Sequence, residues 1–159
     1  MIQAITETQL TVKIQTEDNR IDTSVASEQI RHLFKFINDL DKSVIYNYAS
    51  SEKISERYTT FVFTYTGTHN VYNGNIKFLP AGHWKYEVYE VSWVGTVVVA
   101  SGTAPATETD ILPKLTTNGV VKGIVTKGIL NLTEKAGTEQ VQYTQHETTE
   151  GTNTIYYGQ

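Results

Sequence analysis

Glu87 and Glu90, three residues apart in "KYEVYE", are the pair that first invites a chemical reading. Two carboxylates facing each other across a sugar ring are what glycoside hydrolysis requires. On a strand, positions three apart point to opposite faces unless a bulge intervenes, so a solvated strand face is expected instead. The four histidines, His32, His69, His83 and His146, form no H-x-H or H-E-x-x-H pair. Each is expected at the surface or at a strand end, and no metal motif is visible. Asp39, Asp41 and Ser43 match the first three ligand positions of a calcium loop. Val44 then stands where that loop needs glycine, and Ser50 where it needs the bidentate glutamate, so a polar turn is expected. There is no G-x-S-x-G, P-loop or G-x-G-x-x-G. The chain reads as a non-enzyme without a cofactor.

Ten tyrosines and two tryptophans are the other candidate source of function. Exposed coplanar rings stack on sugar faces and would make a carbohydrate platform. Rings also fill cores and anchor protein interfaces, where a polar handle is favoured. Core and interface use is the preferred reading.

The elements that must position these residues follow from composition and pattern. The 159 residues suit one domain with a real core. The absence of cysteine excludes a disulfide framework and a thiolate zinc site. Net charge is −4, and the 13 Lys and Arg residues are scattered, whereas nucleic-acid binding needs clustered basic side chains. No direct nucleic-acid partner is expected. No apolar run approaches the length of a membrane span. "MIQAITETQL" has neither a basic nor an apolar signal region. Synthesis in a reducing cytoplasm is expected, which leaves the sequon at Asn131-Leu132-Thr133 with little meaning.

Residues 8–16, "TQLTVKIQT", alternate with Leu10, Val12 and Ile14 on one face, and "EDNR" then turns. Residues 24–41 are ambiguous. Ile30, Leu33, Phe34, Ile37 and Leu40 fit an amphipathic helix. A hairpin of "HLFKFIN" with "VIYNYAS" across a polar turn fits as well. "RYTTFVFTYT" is a strand with Phe61, Phe63 and Tyr65 on one face. "GTHNVYNGN" is a loop with the turn dipeptide Asn73-Gly74, followed by a strand holding Ile76 and Phe78. "VSWVGTVVVAS" reads as strand, and 101–118 as a long loop, functional or mobile. "VKGIV" and "TKGIL" echo each other, with Gly123 and Gly128 read as bulges or bends in paired strands. The polar segment 137–159 suits an edge strand or arm. The total is seven to nine strands, an all-β sandwich or barrel.

One stretch carries more. In "FLPAGHWKYEVYEV", a turn at Leu79-Pro80-Ala81-Gly82 launches a strand with Trp84, Tyr86 and Val88 on one face and His83, Lys85 and Glu87 on the other. Val91 and Trp93 lie out of phase, which places a bulge or strand end near Tyr89-Glu90. "GHWKYEVYE" at 82–90 resembles a G-x-Y-x-Y-x-V-Y-E signature of small virion proteins of tailed bacteriophages, notably crAss-like and related phages of Bacteroidetes. Trp84 stands where tyrosine is commoner. "HLFKFINDLDKSVIYNYAS", "SERYTTFVFT", "KGILNL" and "VQYTQHETTEGTNTIYYGQ" resemble further parts in the same order, closely over about 30–92 and loosely elsewhere. The spacing over 93–118 departs from the pattern.

The resemblance implies an auxiliary capsid protein, a head decoration or head-fibre adaptor, with an Ig-like β-sandwich seated on the major capsid protein. It tips 30–37 toward strand, supplies no catalytic residues, and implies location on the virion. Contacts with other virion proteins are compatible with it, as is a role in the tail or a fibre. A carbohydrate-binding β-sandwich module is the rival from another class. The regions poorest in self-burying residues, 101–118 and 137–159, are the expected docking regions, with Tyr143, Tyr156 and Tyr157 as partner-binding anchors.

Overall fold

The computed structural model describes residues 1–137. They form an all-β sandwich of nine strands, in line with the expected class: β1 (Ile2–Ile5), β2 (Leu10–Ile14), β3 (Ile30–Asn38), β4 (Val44–Tyr48), β5 (Ser51–Ile54), β6 (Thr59–Tyr65), β7 (Asn75–Ile76), β8 (Gly82–Ser92) and β9 (Val120–Thr133). The larger sheet runs β1-β9-β8-β3-β4. The smaller runs β2-β6-β5, with β7 beside β6. β1 pairs parallel with β9 and β7 parallel with β6, while the other pairs are antiparallel. The short β1 was not among the expected strands.

The facing sides of the two sheets meet in one apolar core. Alternation delivers Leu10, Val12 and Ile14 from β2, Phe61 and Phe63 from β6, and Trp84, Tyr86 and Val88 from β8. All were expected in the core. Tyr65, expected with them, is only half-buried. Rings meet edge to face through the interior: Phe34 on Phe61 at 4.8 Å and on Phe63 at 5.0 Å, Phe36 on Phe78 at 4.7 Å, Phe78 on Trp84 at 5.4 Å. Such geometry sets the positive edge of one ring against the negative face of the next. The Trp84 indole also donates to the Pro80 carbonyl oxygen at 3.1 Å, tying the strand to the turn that launches it.

The ambiguous 24–41 segment is the hairpin β3–β4, with Leu33 opposite Tyr48 and Phe36 opposite Ile45. The helical periodicity misleads because β3 is covered on both faces. His32, Phe34 and Phe36 point into the sandwich while Leu33 is buried on the other side. A strand buried on two sides loses its period-two signature. Leu40, the last residue of the would-be helical stripe, is exposed in the hairpin turn.

The same double coverage corrects the reading of β8. Its alternation never slips. The register shifts, between Val88/Tyr89 and Glu90/Val91, fall where a bulge was expected, but Val125 and Lys122 of β9 are the inserted residues. Gly123, at φ +150, serves that bulge, and Gly128 passes close over the Tyr86 ring. The two halves of the "VKGIV/TKGIL" echo are thus one strand. Tyr89, Val91 and Trp93 alternate onto the outer face, into a second cluster with Leu33, Tyr48 and Ala104. Strand β8 ends at Ser92, so "WVGTVVVAS" is not strand. It begins a strap, 94–119, that lies over this outer cluster. Phe78 is likewise buried without belonging to a strand.

Two outcomes test this packing. Trp84→Ala should cost about 3–5 kcal/mol, read from urea unfolding midpoints. A loss under about 1 kcal/mol would place the ring outside the core. The second concerns Asp22, whose carboxyl is held far below the usual range by hydrogen bonds from Ser24 and Ser92, with Lys122 also contributing. A lowered folded-state pKa gives stability that is present above the unfolded value, near about 3.9, and is lost below it. The stability gap between wild type and Asp22→Asn should therefore shrink as pH falls through about 4, in denaturant titrations at stepped pH.

Candidate partner-binding surface

The strap has no strand partners of its own, so side chains and single backbone contacts hold it. Gln29 Nε2 donates to the Val94 oxygen at 2.8 Å, and Gly95 N to the Thr116 oxygen at 2.9 Å. Gly119 N reaches the Thr103 oxygen at 2.8 Å, and the Tyr48 hydroxyl donates to the Pro105 oxygen at 2.7 Å. Asp110 closes a local turn by accepting from Ala106 N and Thr107 Oγ1. The apolar underside is Ala104 against Trp93, Val91 and Tyr89.

One charged contact locks the strap to the sheet. Lys35, on the outer face of β3, places Nζ 2.5 Å from Glu108 Oε1 and 3.7 Å from Glu87 Oε2. Glu87 in turn accepts from the Tyr89 hydroxyl at 2.7 Å. The bond to Glu108 raises the Lys35 pKa. Burial pushes the Glu108 carboxyl up, but hydrogen bonds from Lys35, Tyr46 and backbone, together with the Lys35 charge, make the net shift downward. Burial, then the Glu87 bond, raises the Tyr89 phenol, which stays protonated.

The upper side of the strap faces solvent with apolar side chains. Ile111 is 95% exposed, Val94 73% and Leu115 61%. Beside them lies a cleft of about 470 Å³ lined by Glu108, Asp110, Ile111, Leu112, Lys114 and Val121, among others. Large apolar side chains left in water on one segment favour burial against a partner. The docking region expected at 101–118 falls here. These exposed side chains were not singled out in the sequence, although a pair of apolar residues at Ile111-Leu112, followed by Pro113 and Leu115 in a polar loop, is a readable signal. The other expected anchors, Tyr143, Tyr156 and Tyr157, lie outside the described residues.

The remaining candidates separate. Glu87 and Glu90 lie on opposite faces of the sheet, so they do not act as a pair. Glu90 is not solvated as expected. It is buried, and its oxygens accept from Asp22 N at 2.7 Å and Ile21 N at 2.8 Å, docking the 16–29 segment in place of strand pairing. His32 is also not at the surface. It is buried in mid-strand, with Nδ1 3.1 Å from Glu52 Oε2, because its inward position meets β5 of the other sheet. His69 and His83 are exposed, and His146 lies outside the described residues. The Asp39–Ser43 stretch is a hairpin turn, with Asp41 Oδ1 accepting from Ser43 and Asp39 facing Lys85 at 3.3 Å. Among the described residues no group of three or more His, Asp or Glu is placed to hold a metal ion, and no helix is long and apolar enough to cross a membrane.

Gly119 sets how closely the strap seats. A Cβ there would fall 2.6 Å from the Trp93 ring and 2.8 Å from Val91. Gly119→Ala should therefore lift the strap and speed tryptic cleavage after Lys114 several-fold, while the β-sheet signal in far-UV circular dichroism stays unchanged. Unchanged cleavage would show that the strap does not depend on this contact.

No protein-family model, no curated protein sequence and no solved structure matches this chain.

Proposed function

We propose that this chain is a non-enzymatic structural protein of a tailed-phage virion, made in the host cytoplasm. It is an auxiliary capsid protein, a head decoration or head-fibre adaptor, that binds the major capsid protein through the strap. The observation that carries this reading is the exposed trio Ile111, Val94 and Leu115 on a segment latched to a rigid sandwich. Burying such side chains against a partner gains about 25 cal/mol per Å² removed from water. Stable interfaces bury about 1,200–2,000 Å² in total, so the adjoining cleft belongs to the contact as well. The residues that resemble the virion signature fit a structural role: Trp84, Tyr86 and Val88 fill the core, and Tyr89 supports the strap from below.

The strand order supports the Ig-like part of the reading. In immunoglobulin-type sandwiches one sheet carries G, F and C, with C′ added beside C, and the other carries B, E and D. Reading β2, β3, β4, β5, β6, β8 and β9 as B, C, C′, D, E, F and G reproduces both orders, with β1 beside β9 and β7 beside β6 as additions. The Trp84 bond to the carbonyl of Pro80 parallels the corner at which a tyrosine near the start of strand F bonds upstream backbone.

The test uses particles that lack the protein, to which wild type, an Ile111→Ser/Leu115→Ser double variant and a chain ending at residue 139 are added. Wild type should occupy the particles, and both variants should lose occupancy while unfolding at the wild-type denaturant concentration. Full occupancy by the double variant would overturn the strap as the docking surface. Full occupancy by the truncated chain would remove Tyr143, Tyr156 and Tyr157 from the contact.

A further inference from the structure

The corner between β4 and β5 is built against the loop that carries Val71–Gly74. Tyr48 N donates to the Val71 oxygen at 2.7 Å. Asn47 Nδ2 donates to the Asn70 oxygen at 3.2 Å and the Asn75 oxygen at 2.7 Å. Gly74, at φ +78, lies so close that an added Cβ would come within 2.2 Å of the Ser50 nitrogen. The two walls are therefore fixed relative to each other. With Arg31 and Val99 they enclose a cleft of about 470 Å³ whose lining also includes Tyr72, Asn73, Ser51 and Glu52. That volume falls in the range of about 300–1,000 Å³ of small-ligand clefts.

The uncommitted polar groups here are mostly donors. Glu52 is committed, with Oε1 accepting from His32 N at 2.9 Å and Oε2 against His32 Nδ1. Arg31 has no carboxylate partner among the described residues. Its Nη1 donates to the Glu28 oxygen at 3.1 Å and the Ile30 oxygen at 2.7 Å, which leaves Nε and Nη2 free. Those two nitrogens form the edge of a guanidinium that grips a carboxylate with two parallel bonds. Asn73 Oδ1 accepts from Asn75 N, which leaves its amide hydrogens available, and the Ser51 hydroxyl has no hydrogen-bond partner among the described residues. Tyr72 adds an aromatic surface. Its ring lies nearly parallel to the buried Tyr48 ring, 6.4 Å away at 16°, and Tyr48 is anchored through its hydroxyl to Pro105. Tyr72 is also partly buried against the outer cluster, which limits the rotamer freedom left to be lost on binding.

We propose that this cleft binds a saccharide unit carrying a carboxylate. The C–H face of the sugar lies on Tyr72, its carboxylate on Arg31 Nε and Nη2, and its hydroxyls on Asn73 and Ser51. The inference does not rest on the virion reading, and the cleft is separate from the outer side of the strap.

The experiment titrates the full chain, by calorimetry and by amide chemical-shift changes, with trigalacturonate and sialyllactose and with the neutral galactotriose and lactose. The acidic saccharides should bind at least about tenfold more tightly than the neutral ones, as expected for one charge-assisted bond pair. Arg31→Gln should abolish that preference. Tyr72→Ala should weaken acidic binding by up to about tenfold, while Tyr72→Phe retains it, so a folding defect in the alanine variant leaves the test intact. Binding to none of the four saccharides, or an acidic preference that survives Arg31→Gln, overturns the proposal. Equal binding of acidic and neutral saccharides by wild type overturns the assigned role of Arg31 and with it the carboxylate.

Discussion

The antiparallel pairing of β3 with β8, in a sheet covered on both faces, is the constraint on which everything else depends. Nine residue pairs run from Ile30 opposite Ser92 to Asn38 opposite Trp84. Because side chains alternate, this register sends Phe34, Phe36, Trp84, Tyr86 and Val88 into the sandwich. It sends Leu33, Lys35, Tyr89 and Val91 to the other side. A slip by one residue would exchange the two sets. Both faces are apolar at the Ser92 end, so the outer one needs a cover, and the strap provides it. The strap exists as an ordered segment because the sheet under it would otherwise expose Trp93, Val91 and Tyr89.

Where strand pairing stops, buried polar groups continue the connection. Glu90 accepts two backbone N–H groups from the 16–29 segment. Glu52 takes the N–H and imidazole of His32 across the gap between sheets. Asn47 holds two carbonyls of the 70–75 loop. Backbone groups shut away from water must find partners, and these three side chains supply them where no neighbouring strand does. Removing one partner would leave the other buried and unsatisfied, a larger penalty than the bond's net worth. The seams therefore fix the loops' positions more than they add to stability.

The two candidate surfaces are consequences of the same arrangement. Along the strap, the apolar residues that face the sheet are spent on the second cluster, and Val94, Ile111 and Leu115 are left to solvent. At the β4–β5 corner, the strap's Val99 and the pinned loop leave a polar cleft between them. One surface carries exposed apolar side chains, the chemistry of a candidate protein contact. The other is donor-rich with a partly buried ring, suited to a small polar ligand.

The sequence by itself determined the class and most of the core. The alternation of Leu10, Val12 and Ile14, of Phe61 and Phe63, and of Trp84, Tyr86 and Val88 specifies half-buried strands wherever they sit, because period two is a local property of an extended backbone. The same local logic located the Asn38–Asp41 turn, whereas the bulge it placed in β8 near Tyr89-Glu90 lies in the partner strand β9. What it left undecided was every feature that depends on a second surface. Whether 30–38 was strand or helix turned on coverage of both faces, which no window of residues reveals. His32 and Glu90 looked solvent-facing because each is polar. Only the approach of β5 and of the 16–29 segment, distant in sequence, made them interior. The apolar residues of the strap were visible in the sequence, but which of them are covered was not, and neither was the cleft beside Tyr72, since a loop's apolar residues divide into covered and uncovered only once the sheet beneath them is in place. Tertiary structure decided these points because burial is a property of what packs against a residue, and for this chain those neighbours come from 20 to more than 60 residues away.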